Sequence, residues 1–479
     1  MILVKAEVAG DSMAFWNRRK PIDQLGAPQG HAVLKKSLSW PHLVGLGVGA
    51  IVGTGIYTLI GVGANLAGPG VMLSFVLAGI VCACAALAYA ELSTMMPAAG
   101  SAYSYSYAVL GEAIGWIVGW SLILEYSLVV SAVAVGWSGY AAGFMEGLGL
   151  ALPTALAAGP HVAGGGVNLP AMAIIFVVAG LLLLGTRESA TLNAVLVAVK
   201  IAALVAFVVI ALPTFDAANF TPFMPYGFGA PFLERGVMAA AAIIFFAFYG
   251  FDAISTAAEE CKNPERDLSI GIVGSMLVCT VLYMVVAAAA IGALPFTRFA
   301  QSPEPLALIL RELGEGQAAQ WIAAAAVVAL PTVLLAFLFG QTRIFLVMAR
   351  DGLLPRGLSR VSGRGVPVVV TVFTAVVVAA LAGVMRLDEL ASLANAGTLA
   401  AFSAVGICLM VLRVREPGRP RVFRTPLWPV VGVVCVVGCI IFFLSLQTRT
   451  QVWFVIWNVA GLLLYLSYGA RRSRLASAV

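Results

Sequence analysis

Long apolar segments recur along almost the whole chain, and each is long enough to cross the hydrocarbon core of a membrane as a helix of about 20 residues. Charged residues make up only 10% of the 479 residues and hydrophobic residues 61%, whereas a soluble domain carries about 25% charged residues. We therefore predict an all-α integral membrane protein with twelve transmembrane helices. The predicted spans are 43–66, 71–95, 113–143, 169–185, 190–212, 237–258, 270–293, 319–347, 367–385, 389–412, 428–446 and 451–469.

The distribution of positive charge predicts how these spans are oriented. Most of the 28 Lys and Arg residues fall on the side that also holds residues 1–36. Because Lys and Arg are enriched in cytoplasmic loops, we expect both termini in the cytoplasm and the spans in the cell membrane. The net charge of +6 then reflects topology and contact with lipid headgroups, and it does not indicate nucleic-acid binding.

The first span has a weak centre at Gly53-Thr54-Gly55. Each Gly in a helix interior costs about 0.5–1 kcal/mol relative to Ala, so these residues favour a local break. Unpaired backbone groups at membrane depth occur only where they are buried in protein or line a cavity, and a break therefore suggests a binding site. Close helix packing along Gly45, Gly49 and Gly53 is an equally good explanation of the first span alone.

A second weak centre lies in the span 237–258, where Gly250 is followed by Asp252. Spans one to five (43–212) and six to ten (237–412) form two sets of five, and an odd number inverts the second set relative to the first. The interrupted span is the first in each set. Glycine-interrupted segments at corresponding positions of two halves mark the binding site of a transporter.

Two charged residues lie inside spans, at a cost of at least about 2.5–3.5 kcal/mol each at the bilayer centre. Lys200 lies about 15 Å from the nearer end of its span at 1.5 Å per residue, which is too deep for its side chain to reach the surface easily. We interpret it as functional. For Glu125, a functional role and a structural hydrogen bond inside the bundle both remain open.

Other classes of function have less support in the sequence. No His lies within a span and no nucleophile is paired with a base, so we expect neither an enzyme nor a metal site. A channel would need a ring of selectivity groups. A sensor that binds amino acids without transport remains an alternative. The Tyr- and Ser-rich stretch 97–107 is predicted to be an amphipathic segment at the membrane interface.

Several of these segments together resemble the amino acid–polyamine–organocation superfamily of permeases, and more closely its bacterial cationic-amino-acid-transporter-like branch. The resemblance implies a LeuT-type fold of two inverted five-helix repeats with broken first and sixth helices. Residues 1–42 would then be a cytoplasmic arm, 428–469 two peripheral helices and 470–479 a cytoplasmic tail. The matching stretches are Gly47–Ile56, Ala88–Ser93 with Pro97–Tyr107, Phe245–Arg266, Gly340–Pro355 and Leu393–Phe402.

The resemblance also implies roles for individual residues. The N–H groups of Gly53, Thr54 and Gly55 would hold the carboxylate of an amino acid, and Phe246 would lie over the substrate as a gate. Lys200 would be the proton-coupling residue, and Glu125 and Asp252 are candidates for the pocket or the gate. The substrate ammonium would meet carbonyls beside the two breaks, and Gly250 is also expected to be a substrate-binding residue. The carbonyls are those of Ile51, Phe246, Ala247 and Tyr249.

The expected function is uptake of a small neutral or cationic L-amino acid by proton symport with alternating access. Exchange of amino acids is an alternative mechanism. The proton is the coupling ion, and we expect no other cofactor. The amino acid and the lipid bilayer are the expected partners, whereas a small single-pass subunit or a homo-oligomer is left open.

Overall fold

The computed structural model describes residues 18–22, 38–96, 98, 100–184, 190–229, 234–256, 261–360, 362 and 367–476, and in these residues the regular structure is helical. The α-helices are α1 (Trp40–Ile51), α2 (Thr54–Tyr57), α3 (Leu59–Ala67), α4 (Val71–Met95), α5 (Ser101–Val109), α6 (Glu112–Gly147), α7 (Thr154–Ala157), α8 (Leu169–Leu183), α9 (Ala190–Ala211), α10 (Val237–Ile244), α11 (Phe251–Thr256), α12 (Pro264–Ala293), α13 (Phe296–Phe299), α14 (Pro305–Glu312), α15 (Gly316–Ala329), α16 (Pro331–Arg350), α17 (Val368–Val384), α18 (Leu387–Arg415), α19 (Trp428–Ser445), α20 (Thr448–Leu464) and α21 (Ala470–Arg472).

Among the described residues, eight helical stretches are long and apolar enough to cross a membrane. Their outward faces carry large apolar side chains, such as Trp321 at 76% exposure and Leu277 at 65%, which suits contact with lipid. The protein is therefore a multi-pass membrane protein. The eight stretches are Leu59–Met95, Glu112–Gly147, Ala194–Thr214, Arg266–Ala293, Gly316–Arg350, Leu387–Arg415, Trp428–Ser445 and Thr448–Arg472, and four shorter apolar helices are Trp40–Ile51, Leu169–Leu183, Val237–Phe248 and Val368–Val384.

The first apolar segment is interrupted at the glycines, as the sequence predicts. Helix α1 ends at Ile51, and Val52 and Gly53 are extended before α2 begins at Thr54. A second bend at Thr58 separates α2 from α3. The segment therefore consists of an α1 half and an α2–α3 half, separated by two extended residues.

The segment 237–258 is interrupted as well. A 3-10 turn at Phe245–Phe248 follows α10, and Tyr249 is extended. Gly250 then takes a φ of +112°, a conformation that glycine adopts without a steric penalty. A Cβ at this position would lie 2.7 Å from the backbone carbon of Ala50, so the two interruptions meet directly.

The glycine contacts of the first segment do not include Gly45, the first residue of the predicted packing ridge. A Cβ at Gly45 would have no heavy atom within 4 Å, whereas one at Gly47 would lie 2.5 Å from side-chain atoms of Ile254 and Ser275. The close contact of α1 with its neighbours thus runs through Gly47. At Gly53, the nearest atom is a methyl group of Val333 at 3.2 Å.

Over its described residues 98 and 100–107, the stretch 97–107 is not an interfacial amphipathic segment, and that prediction was wrong. Helix α5 is buried on every side. The Tyr103 hydroxyl donates to Oδ2 of Asp351 at 2.8 Å, and the Tyr107 hydroxyl donates to Oε2 of Glu112 at 3.0 Å. Because carboxylates inside the protein satisfy these two hydroxyls, Tyr103 and Tyr107 do not need the aqueous interface.

Candidate functional site

A small cavity lies where the two interrupted segments meet. Its volume is about 10 Å³, which is room for one water molecule. The surrounding side chains are buried, with Phe246 at 5% and Tyr249 at 3% exposure. The structure is thus closed around the site. The lining residues are Ala50, Ile51, Gly53, Thr54, Gly55, Val129, Val133, Phe246, Tyr249, Val333 and Phe337.

Backbone donors of the first interruption line this cavity. Within the described chain, the N–H groups of Gly53, Thr54 and Gly55 have no hydrogen-bond acceptor, because α2 begins here and the preceding carbonyls belong to α1. Such consecutive free N–H groups bind anions. Gly55 also makes the closest approach to the other interruption, since a Cβ there would lie 2.3 Å from Cα of Ala247.

Carbonyl groups of the two interruptions lie on the other side. The Ile51 carbonyl accepts from the Tyr283 hydroxyl at 2.8 Å, and the Phe246 carbonyl accepts a long bond of 3.4 Å from the N–H of Tyr249. In the described part of the chain no group donates to the Ala247 carbonyl. The Ala247 carbonyl is therefore available to a ligand, whereas the Ile51 carbonyl is paired with Tyr283, which sequence analysis did not identify.

The side wall of the cavity comes from four residues that sequence analysis did not assign to the pocket. Val129 and Val133 of α6 and Val333 and Phe337 of α16 supply it. Pro331, which separates α15 from α16 in the predicted span 319–347, was an available signal, because proline removes a helix hydrogen bond and disturbs the turn before it. Helix α6 carries no comparable signal.

Lys200 is buried at 1% exposure and lies beside the first interruption. Its Nζ donates to the Gly49 carbonyl at 2.8 Å and to Oγ1 of Thr332 at 2.8 Å. Its own carbonyl accepts from the Tyr57 hydroxyl at 3.1 Å. Lys200 therefore contacts both halves of the interrupted first segment and the start of α16.

Glu125 and Asp252 are buried, but neither lines the cavity. The oxygens of Asp252 accept from the Tyr126 hydroxyl at 3.0 Å and from the N–H of Gly250 at 3.2 Å. Asp252 thus holds the second interruption to α6. Neither oxygen of Glu125 has a hydrogen-bond partner among the described residues.

Both ends of the site are covered. At the end where residues 18–22 lie, Lys20 pairs with Asp351 at 2.9 Å. Residues 294–315, here named the cover segment, lie at the other end. Gly61 of α3 is in close contact with this segment. Burial raises the pKa of Glu304 in the cover segment above its ordinary value of 4.5, and its partner Arg311 opposes this shift.

Comparisons with known proteins agree with this geometry. A family model described as amino acid permease matches residues 38–467. The chain is 45% identical to the branched-chain amino acid permease BcaP of Bacillus subtilis (strain 168), over 96% of this chain and 98% of that protein. It is 40% identical to the methylthioribose transporter of the same organism, with the same coverage. Identity to the vacuolar cationic amino acid transporter 4 of Arabidopsis thaliana is 39%, over 84% of this chain and 67% of that protein.

Proposed function

Since the chain belongs to the amino acid permease family of the amino acid–polyamine–organocation superfamily, we propose that it takes up an apolar L-amino acid together with protons. Family membership makes it a membrane permease and not an enzyme. One observation carries the proposal. Unpaired N–H groups and an apolar wall surround one cavity between two interrupted helices, and Ala247, whose carbonyl has no donor among the described residues, packs against Gly55 of that cavity.

Such a cavity can bind an amino acid without a charged side chain. The carboxylate accepts hydrogen bonds from the N–H groups of Gly53, Thr54 and Gly55, while the ammonium donates to the Ala247 carbonyl. Because the cavity has room for one water molecule, the rings of Phe246 and Tyr249 must move away before a substrate enters. This supports the role of Phe246 as a gate.

The side wall favours an apolar side chain over a cationic one. None of the described lining residues is charged, and the wall consists of Val129, Val133, Val333 and Phe337. A cationic side chain buried here would have no partner, which is costly. The same apolar wall does not form hydrogen bonds with the hydroxyls of a ribose. Of the substrates that its relatives' names mention, a branched-chain amino acid suits this wall best.

The architecture supports alternating access by two inverted repeats. The eight long apolar stretches and the four shorter apolar helices together account for twelve crossings, with an interruption in the first and the sixth. We assign 43–212 and 237–412 to the two repeats and 428–469 to two peripheral helices. We place the protein in the cell membrane with both termini in the cytoplasm, as the positive charges favour.

Lys200 is the proposed proton-coupling residue. A protonated Nζ donates to the Gly49 carbonyl and to Thr332, and it thereby joins α1 to α9 and α16. A neutral amine has no positive charge, so its hydrogen bond to the Gly49 carbonyl is no longer charge-assisted and the hold on α1 weakens after deprotonation. Release of the proton would then favour outward movement of α1 from the bundle and opening toward the cytoplasm.

Substrate identity is tested first by binding. Purified protein is screened by thermal shift with twenty amino acids and methylthioribose, and hits are followed by uptake into proteoliposomes. We expect leucine, isoleucine and valine to stabilise the protein and to be transported, and arginine and lysine to have no effect. Stabilisation by arginine or methylthioribose alone would contradict the proposal.

Coupling is tested with Lys200→Ala, with the exposed Lys262 changed to Ala as the control. Uptake of leucine is measured with and without an inward pH gradient, together with exchange of external for internal leucine. We expect Lys200→Ala to exchange leucine but to lose accumulation driven by the pH gradient. Normal proton-driven accumulation in this variant would disprove the role of Lys200.

A further inference from the structure

The carboxyl group of Glu125, in the middle of α6, is an ionisable group to which the proposed transport mechanism gives no role. It is 1% exposed, and in the described part of the chain neither oxygen has a hydrogen-bond partner. The backbone of α18 packs against it, since a Cβ at Gly397 would lie 3.1 Å from Cβ of Glu125 and 2.9 Å from the Ser121 carbonyl. An ionised carboxylate in such a site would be strongly destabilising.

The neighbours of Glu125 suit a neutral carboxylic acid. Asp252, whose oxygens are held by Tyr126 and Gly250, is the described charged group that acts on it electrostatically. Two adjacent carboxylates repel each other when both are ionised, which favours the neutral form of one of them. The nearby Thr398 hydroxyl donates to the Ala394 carbonyl at 3.2 Å, which leaves its oxygen able to accept a hydrogen bond from a protonated Glu125.

Two other neighbours could stabilise the ionised form. The hydroxyls of Tyr249 and Tyr89 are buried, have no hydrogen-bond partner among the described residues, and interact electrostatically with Glu125. Tyr249 also lines the substrate cavity and adjoins Gly250 at the second interruption. A movement of that interruption would therefore change which groups surround the carboxyl of Glu125.

We propose that Glu125 is a second proton-binding site of the transport cycle, protonated in this closed structure and ionised when the interruption at Tyr249 and Gly250 rearranges. The inference rests on the proposed proton-coupled function. In the proton-releasing step the O–H bond of the carboxyl breaks and the proton passes to water in the open pathway. The electron pair stays on the carboxylate, which then accepts hydrogen bonds from Tyr249 and Tyr89.

Glu125→Gln tests this assignment, because glutamine has the shape of the neutral acid but cannot release a proton. Protons transported per leucine are measured in proteoliposomes by varying the pH gradient. We expect the variant to move one proton fewer than the natural protein. Its limiting accumulation of leucine should then fall about tenfold for each pH unit of the gradient, since one unit is worth 1.36 kcal/mol per proton.

Tyr105→Phe is the matched control, since Tyr105 is another buried tyrosine whose hydroxyl lacks a partner among the described residues. It should keep the proton ratio of the natural protein. An unchanged ratio in Glu125→Gln would overturn the inference. If the natural protein itself did not accumulate leucine in response to a pH gradient, the result would instead contradict the proposed function.

A spectroscopic readout applies even if Glu125→Gln does not transport. Infrared difference spectra of the natural protein, with and without leucine, should contain the C=O stretch of a protonated carboxylic acid. The band should be missing in Glu125→Gln and present in Tyr105→Phe. If the natural protein has no such band, or if the band persists in Glu125→Gln, the inference is wrong.

Discussion

Substitution of Gly55 by Ala tests whether the contact between the two interruptions sets substrate affinity. The added Cβ would lie 2.3 Å from Cα, 2.6 Å from Cβ and 3.2 Å from N of Ala247. Ordinary contacts begin near 3.4 Å, so the two backbones must separate by roughly 1 Å. Overpacking of this kind costs about 1–3 kcal/mol in stability.

The separation also misplaces the N–H groups proposed to bind the carboxylate. A hydrogen bond to a charged group contributes about 1.5–3 kcal/mol, and its loss weakens binding about 10- to 150-fold. We therefore expect the Kd for leucine to rise by that factor in Gly55→Ala. Uptake at substrate concentrations below the natural Kd should fall in proportion.

The assay is leucine binding by isothermal titration on detergent-purified protein, with uptake into proteoliposomes normalised to monodisperse protein. Gly45→Ala is the matched control, since its Cβ would meet no heavy atom within 4 Å. In this helix interior it should stabilise the protein by about 0.5–1 kcal/mol and leave binding unchanged. A Kd for Gly55→Ala within about twofold of the natural value would refute the reasoning.

Three further predictions follow from individual contacts. Gly250→Ala, at φ +112° and 2.7 Å from the Ala50 carbon, should abolish leucine uptake, and a natural uptake rate would contradict this. Tyr283→Phe frees the Ile51 carbonyl and should tighten leucine binding about 2- to 10-fold; weaker binding by titration would be the opposite result. Because the folded-state pKa of Glu304 is raised, docking of the cover segment should be strongest below pH 4.5 and weaken as pH rises through the raised pKa. Hydrogen exchange of residues 296–312 should therefore become faster, relative to the intrinsic rate, as pH rises through that range. This pH dependence should be absent in Glu304→Gln.

Features that depend on local backbone chemistry could be predicted from the sequence. Gly53 and Gly250 mark the two interruptions because a glycine lowers helix stability wherever it occurs, and the span 71–95 coincides with α4 because Gly68-Pro69-Gly70 forms a turn directly before it. The depth of Lys200 followed from counting residues along a helix. These inferences require no knowledge of which helices are neighbours.

Features that depend on helix neighbours could not be predicted in this way. The Tyr283–Ile51 bond joins residues 232 positions apart, and nothing near Tyr283 distinguishes it from other core tyrosines. The stretch 97–107 was assigned to the interface because tyrosine and serine are amphipathic, yet Asp351 and Glu112 satisfy the hydroxyls of Tyr103 and Tyr107 inside the protein. Periodicity shows that a side chain is polar, but not which distant group will pair with it.

The contacts of Lys200 explain how a proton could affect one half of the interrupted segment alone. The α2–α3 half is held to the Lys200 backbone through Tyr57, whose own carbonyl accepts from Tyr140 of α6 at 2.6 Å. The α1 half is held by Nζ, which donates to Gly49. Of these bonds, only the one from Nζ to the Gly49 carbonyl involves the ionisable group of Lys200. Deprotonation would therefore weaken the hold on α1 while the half that supplies the N–H groups proposed to bind the carboxylate stays attached to α6 and α9, so that substrate would remain bound as the inner half begins to move.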